Sequence, residues 1–398
     1  MVSNLGDNKI MVILDNHISK PGWCCSNDDN NGFFWDDHFI VEHWTTGLNQ
    51  MATIFNGVPN VVAMSLRNEL RGDKANVPDW YTYMRKGAEA VHKANPNVLV
   101  ILGGLNFDTD LSFLSNRNAE LTFSNKLVHE VHWYGFTDGG TWEWNANDAC
   151  GSITSSVMSR AGFLLRQGLP LFMSEWGVDQ RGGNTIDNRY LGCVMAAMAE
   201  LDLDWSLWGL QGSYYLREGS VDTEEVYGVM NYDWSKPRNS SFLQRIASLQ
   251  HAFQGPGLNA PVYTVLFHPA TGRCIVQDDG NAPLRLGPCN RTKAWSYTAE
   301  QAIQLVGTNL CLSESGEGQR VKLGNCNGED SRMKWDLISD SKMHVSSQSA
   351  KVSLCLDVAD GGTLITNQCR CLSEDQNCDP GGQWFKMVPS AKPLQRTR

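Results

Sequence analysis

The chain is predicted to be an α/β protein built on a parallel sheet, joined to a smaller all-β domain with three-fold internal repetition. Two patterns in its 398 residues carry this. From residue 9 to 253, short apolar runs alternate with longer amphipathic ones. Strands that are nearly continuous apolar runs belong to parallel sheets covered on both faces. Beyond residue 261 the helical period vanishes and a cysteine-marked motif recurs three times.

The strands are, in order, KIMVILD (9–15), NVVAMSL (60–66), NVLVILGG (97–104), LVHEVHWY (127–134), LPLFMSEW (169–176) and LDWSLWGL (203–210). Amphipathic stretches at 77–94, 153–167, 186–201 and 239–253 predict helices between and after them, the last introduced by SKPRN. This makes six strand–helix units. QGPGLNAP (254–261) has the Gly, Pro and Asn of a linker. The expected division is therefore 1–253, a linker at 254–261, an all-β domain at 262–389 and a basic, disordered tail at 390–398.

In the all-β part, Cys274-Ile-Val to LGPC (286–289) is matched by Cys311-Leu-Ser to LGNC (323–326) and by Cys355-Leu-Asp to ITNQC (365–369). Each copy is followed by a tryptophan, Trp295, Trp335 and Trp384. Eight of the 12 cysteines lie within 274–378, a density expected of an extracellular, disulfide-bearing module. Zinc is the alternative, but the spacings are not CxxC pairs and histidines are few. The sequons at Asn239 and Asn290 agree with secretion. Against this, MVSNLGDNKIMVILDNH has no basic stretch followed by an apolar one, so no leader is expected in this chain.

Net charge is −10, with −11 in residues 1–261 and +1 in the remainder. An acidic body lacks the clustered Lys and Arg that phosphate binding needs, so nucleic acid is not an expected partner. No apolar run reaches the roughly 18–20 residues of a membrane span.

In a parallel barrel, catalytic groups sit at the C-terminal ends of the strands. Read there, the strands present Asp15-Asn16-His17, Asn68-Glu69, His132-Trp133-Tyr134, Glu175-Trp176 and Trp208. Two carboxylates, imidazoles and indoles converging on one mouth suit glycosidic cleavage. One carboxylic acid protonates the leaving oxygen while the second carboxylate attacks the anomeric carbon. An amide beside the acid can bond the neighbouring sugar hydroxyl, and Tyr134 can orient the attacking carboxylate. Eleven of the 14 tryptophans lie in the first 261 residues, offering flat faces to sugar rings.

The motifs LDNH, SLRNELRG, VHEVHWYGF, FMSEWG and WSLWGLQGSYYLREG resemble, in order, the strand-end motifs of glycoside hydrolase family 5, the cellulase-A group, in its plant branch. The resemblance covers about residues 9–253. It implies a retaining mechanism on a (β/α)8 TIM barrel, with Glu69 as general acid/base, Glu175 as nucleophile and Asn68 as the 2-hydroxyl partner. His17, His132, Tyr134 and Trp208 would line the subsite around the cleaved bond. The substrate implied is a β-linked glucan or mannan, taken up by a monomer.

Family members have two further strands before LDNH, the second ending in an arginine near the nucleophile. Those strand–helix units are not found here, so an open barrel, N-terminally shortened, is expected. Alone, it is expected to be poorly soluble and without measurable glycosidase activity. A non-catalytic, lectin-like carbohydrate-binding protein with a degenerate hydrolase domain is the rival reading. The full-length form is expected to be secreted or in the cell wall.

The repeats resemble a ricin-B-type β-trefoil, although the Gln-x-Trp signature is not intact in KAW, MKW and GQW. CLDVADG (355–361) is closest to a sugar-binding copy and nominates Asp357, while a purely structural trefoil stays open. Disulfides Cys274–Cys289, Cys311–Cys326, Cys355–Cys369 and Cys371–Cys378 are expected. Among other features, HEVH (129–132) lacks HExxH spacing and lies on a strand, so neither a metal nor a cofactor is expected. Cys24 or Cys25 is expected to pair with another mouth loop, through Cys150, rather than to form a redox pair. Cys193 reads as a buried free thiol. Asp28-Asp29 and Asp36-Asp37 read as a solvated acidic loop rather than a calcium site.

Overall fold

The computed structural model describes residues 1–255, 263–278, 282–349, 352–373 and 375–392. Most of the expected linker, and the tail from 393, lie outside the described residues.

The chain opens with α1 (Val2–Asp7), and six parallel strands follow: β1 (Val12–Asp15), β2 (Val61–Ser65), β3 (Leu99–Leu102), β4 (Leu127–His132), β5 (Leu171–Glu175) and β6 (Asp204–Trp205). They pair in sequence order, β1 to β6, with β1 and β6 at the two ends. The sheet is an open barrel segment, as six units require. α2 (Val41–Ile54) and α3 (Val77–Ala94) connect the first strands. α3 begins where Asn76 accepts the Asp79 N–H at 2.9 Å, with Pro78 in its first turn.

The helix expected at 153–167 starts earlier. α4 (Ala146–Val157) runs through a π turn (Met158–Gly162) into α5 (Phe163–Arg166). α6 (Thr185–Leu201) is capped by Asn184 and lies one residue from expectation. β6 is only two residues long. The chain then forms a hairpin, β7 (Ser213–Arg217) and β8 (Ser220–Glu224), turning on Glu218-Gly219, both with positive φ, the geometry of a two-residue hairpin turn. α7 (Ser240–Ile246) is capped by Asn239 and ends in a 3₁₀ turn to Gln250.

By contacts the chain divides into two compact units. One comprises residues 1–133, 156–177 and 204–236; the other comprises 134–155, 178–203 and the chain from 237 onward. The first holds the sheet. In the second, short antiparallel strands form the trefoil, whose symmetry shows in the pairing. Cys274, Cys311 and Cys355 each lie opposite the residue two before their disulfide partner (Gly287, Gly324, Asn367). All four disulfides expected here are present.

The trefoil core takes one residue from each repeat at equivalent positions: Ile275, Leu312 and Leu356; Leu284, Val321 and Leu364; Trp295, Trp335 and Phe385. The third aromatic is therefore Phe385, not Trp384. Trp384 instead donates its indole N–H to Asn147 Oδ1 (2.7 Å) and lies against Gly192 of α6, where an added Cβ would come within 2.9 Å of the ring.

Two cysteine assignments are corrected. Cys24 and Cys25 are bonded to each other, and Cys193 is not free but bonded to Cys150. The Cα atoms of Cys150 and Cys193 lie 5.6 Å apart, within disulfide reach. That proximity arises from packing of α4 on α6, which one-dimensional spacing does not show.

Candidate active site

The C-terminal end of β2 leads into Leu66-Arg67-Asn68-Glu69. Glu69 takes a left-handed conformation (φ 46°), and its N–H donates to Asp108 Oδ2 at 2.7 Å. Asp108 sits in a loop after β3 in which Asn106, Phe107 and Asp108 all have positive φ. Gly103 makes room for it, since a Cβ there would meet the Asp108 carboxylate at 2.3 Å. Asp108 is fully buried, and burial first, then the carboxylates of Glu130 and Glu69, push its carboxyl well above the usual range.

His132, the last residue of β4, is the centre of the site. Its Nδ1 lies 2.9 Å from Glu69 Oε1 and 3.6 Å from Glu175 Oε2. One oxygen of each carboxylate and the ring nitrogen all fall within 4.8 Å of one another. The Trp133 N–H donates to the Glu175 carbonyl at 3.0 Å and ties the two strand ends together. Burial opposes the charged imidazole, yet Glu175, Glu69 and Asp108 outweigh it and raise the His132 pKa well above its ordinary value. The imidazole thus sits as a charged partner between the two carboxylates. Beneath it, Glu130 is buried, accepts from Ser65 Oγ at 2.6 Å, and has its pKa raised by burial.

His17 extends the site from β1. Its Nδ1 pairs with Asp15 Oδ2 at 2.7 Å, its Nε2 lies 3.3 Å from Asn68 Nδ2, and its ring stacks on Trp208 at 5.9 Å. Burial lowers its pKa, but Asp15 and the two glutamates raise it further, for a net increase. Trp208 is held by its own N–H to the Trp176 carbonyl (2.8 Å) and by its indole N–H to Glu225 Oε2 (3.1 Å). Glu225 also accepts from Tyr214 and Tyr227 and faces Arg217. Tyr134 lies just beyond β4 in the other compact unit, buried and stacked on Phe136 at 4.8 Å.

The acidic loop is solvated at Asp28 and Asp37, as expected, but not at Asp29 and Asp36. Asp29 holds Arg71 through two short hydrogen bonds (2.7 and 2.8 Å), and Asp36 accepts from Ser19, Gly32 and Arg67. Arg67 and Arg71, four residues apart and both buried, anchor the loop after β1 to the end of β2. Burial brings Arg67 down to about 10. Thus Glu69 is flanked by two buried arginines. Arg67, Arg71, Asp108, Glu130 and Glu225 were not nominated from sequence. The SLRNELRG motif shows the arginines and LVHEVHWY places Glu130 within a strand, but nothing local distinguishes Asp108 and Glu225 from surface acids.

In the trefoil, Asp357 is buried. Its Oδ2 accepts from Asn367 Nδ2 and Gln383 Nε2, each at 3.0 Å, with Arg370 3.5 Å away. Gln383 precedes the core Phe385 by two residues, so the Gln-x-aromatic spacing does exist in this copy, one residue later than Trp384 suggested.

A half-barrel with two carboxylates about one imidazole, joined to a disulfide-bonded trefoil, is the architecture of a carbohydrate-active enzyme. Residues 1–213 match Cellulase (glycosyl hydrolase family 5), and residues 262–377 match the ricin-type beta-trefoil lectin domain. A "Glycosyl hydrolase 5 family protein" of Chamaecyparis obtusa is 43% identical over 99% of this chain and 74% of its own length. The chain belongs to glycosyl hydrolase family 5. An "Endoglucanase" of Clostridium saccharobutylicum is 23% identical over 56% of the chain and 44% of its own length. Among solved structures, an endocellulase of the archaeon Pyrococcus horikoshii shares the fold, with TM-score 0.50 and 19% identity over 59% of this chain and 68% of that one.

Proposed function

We propose that this chain, against the inactivity expected of an open barrel, hydrolyses β-linked glucan by a retaining two-carboxylate mechanism. The observation that carries the proposal is the placement of Glu69 and Glu175 around His132, with oxygens within 4.8 Å. Retaining enzymes hold their carboxyl groups about 5–5.5 Å apart, whereas inverting ones leave about 6.5–9.5 Å for a water.

In the first step the Glu175 carboxylate attacks the anomeric carbon as the glycosidic C–O bond breaks, and the Glu69 carboxylic acid protonates the departing oxygen. In the second, water attacks the same carbon, Glu69 takes its proton, and Glu175 leaves. His132 holds both glutamates, and Asn68 bonds the 2-hydroxyl. His17 and Trp208 line the subsite, as does Tyr134. Asp357, with Asn367 and Gln383 around it, is the sugar-binding position of the trefoil. The endoglucanase names of the relatives favour glucan over mannan.

The test is release of reducing sugar from soluble β-glucan. Glu175→Ala should abolish it, and Glu69→Ala should slow it severely while sparing formation of the covalent intermediate from aryl glycosides with good leaving groups. A second reading, carbohydrate binding without turnover, is favoured by the edge of β1, which has no partner strand among the described residues. Saturable binding with no reducing sugar released would select it.

A further inference from the structure

We propose that the disulfide between the adjacent residues Cys24 and Cys25 is a positioning element that fixes the Asn68 carboxamide for the sugar 2-hydroxyl. This rests on the reading of the mouth as a carbohydrate site. The other five disulfides span 7 to 43 residues, whereas this one spans 1. The chain-entropy gain of a cross-link grows with the loop it closes, so a bond between neighbours adds little to global stability. Its effect must be local.

Asn68 is what it touches. Asn68 Nδ2 lies 3.6 Å from Cys25 Sγ and 3.9 Å from Cys24 Sγ, with His17 Nε2 at 3.3 Å. His17 is itself immobilised by Asp15 and Trp208. The segment bearing the disulfide is pinned one residue further on, where the Ser26 carbonyl accepts from Arg71 Nε at 3.0 Å. Two free thiols would rotate independently; joined, they form one stiff surface. The carboxamide, held between that surface and a fixed imidazole, loses its rotation before substrate arrives. That is preorganisation of a hydrogen-bond donor.

The test is equilibrium binding of an aryl β-thiocellobioside, which resists cleavage, and of its counterpart lacking the 2-hydroxyl on the ring that bears the aryl group. The parent chain is compared with Asn68→Ala and with the double variant Cys24→Ser, Cys25→Ser. The double variant should bind the hydroxylated compound roughly five- to ten-fold more weakly, as Asn68→Ala should, while the 2-deoxy compound is unaffected. Cys24→Ala with Cys25→Ala should show the same split, and both pairs should melt close to the parent. Equal weakening of both ligands, no weakening of either, or unfolding of both cysteine pairs overturns the proposal alone. A parent chain that binds neither compound overturns the reading of the mouth, and the inference with it.

Discussion

His132 sets the electrostatics of the mouth because it is buried yet surrounded by Glu175, Glu69, Asp108 and Glu130. Its raised pKa has a definite consequence for stability. A group that binds its proton more tightly when folded stabilises fully below its ordinary value, 6.5, and loses that contribution as pH rises through the folded value. Asp108, also raised, acts with the same sign. The melting temperature should therefore fall from pH 6.5 toward alkaline pH, and His132→Gln should flatten that slope. A midpoint that rises over this range would contradict the assignment.

At the scale of elements, buried polar contacts hold the mouth loops alongside their apolar packing. Gly103→Ala should drive the Asp108 carboxylate out of its seat and cost about 1–3 kcal/mol, read by urea denaturation, because the crowding falls on a confined group. Breaking the Asp29–Arg71 pair with Asp29→Ala leaves a buried guanidinium without its carboxylate, held only by backbone carbonyls, and should cost about 3–5 kcal/mol. In the trefoil, Cys311→Ser with Cys326→Ser opens a loop of 15-residue separation and should cost about 3 kcal/mol.

At the scale of the whole molecule, the compact units do not follow the linear order of the chain. α6 belongs with the trefoil, where Trp384 covers Gly192 and Lys386 pairs with Glu200 at 2.7 Å. Trp384→Ala should cost about 3–5 kcal/mol, more than expected for an aromatic outside the trefoil core, and scanning calorimetry would show it. Among the described residues the β1 edge has no partner strand on its outer side, and Met11 there is 73% exposed. Unpaired apolar edges template association. Met11→Lys should therefore reduce concentration-dependent light scattering without changing the melting temperature.

Apolar runs and strand-end motifs were enough to place six parallel strands, their order, both glutamates and His132, because a buried parallel strand must be apolar and its end must carry the polar residues. The cysteine repeat likewise determined three disulfides, since each closes a local loop within one copy, and Cys371–Cys378 closes a short loop just after the third. Contacts between distant segments were decided only by the tertiary structure. Cys150 with Cys193, Asp108 under Glu69, Glu225 on Trp208, Arg71 on Asp29 and Phe385 in place of Trp384 each depend on which elements pack together. A carboxylate on a loop reads the same in sequence whether it meets solvent or a buried N–H; packing alone separates the two.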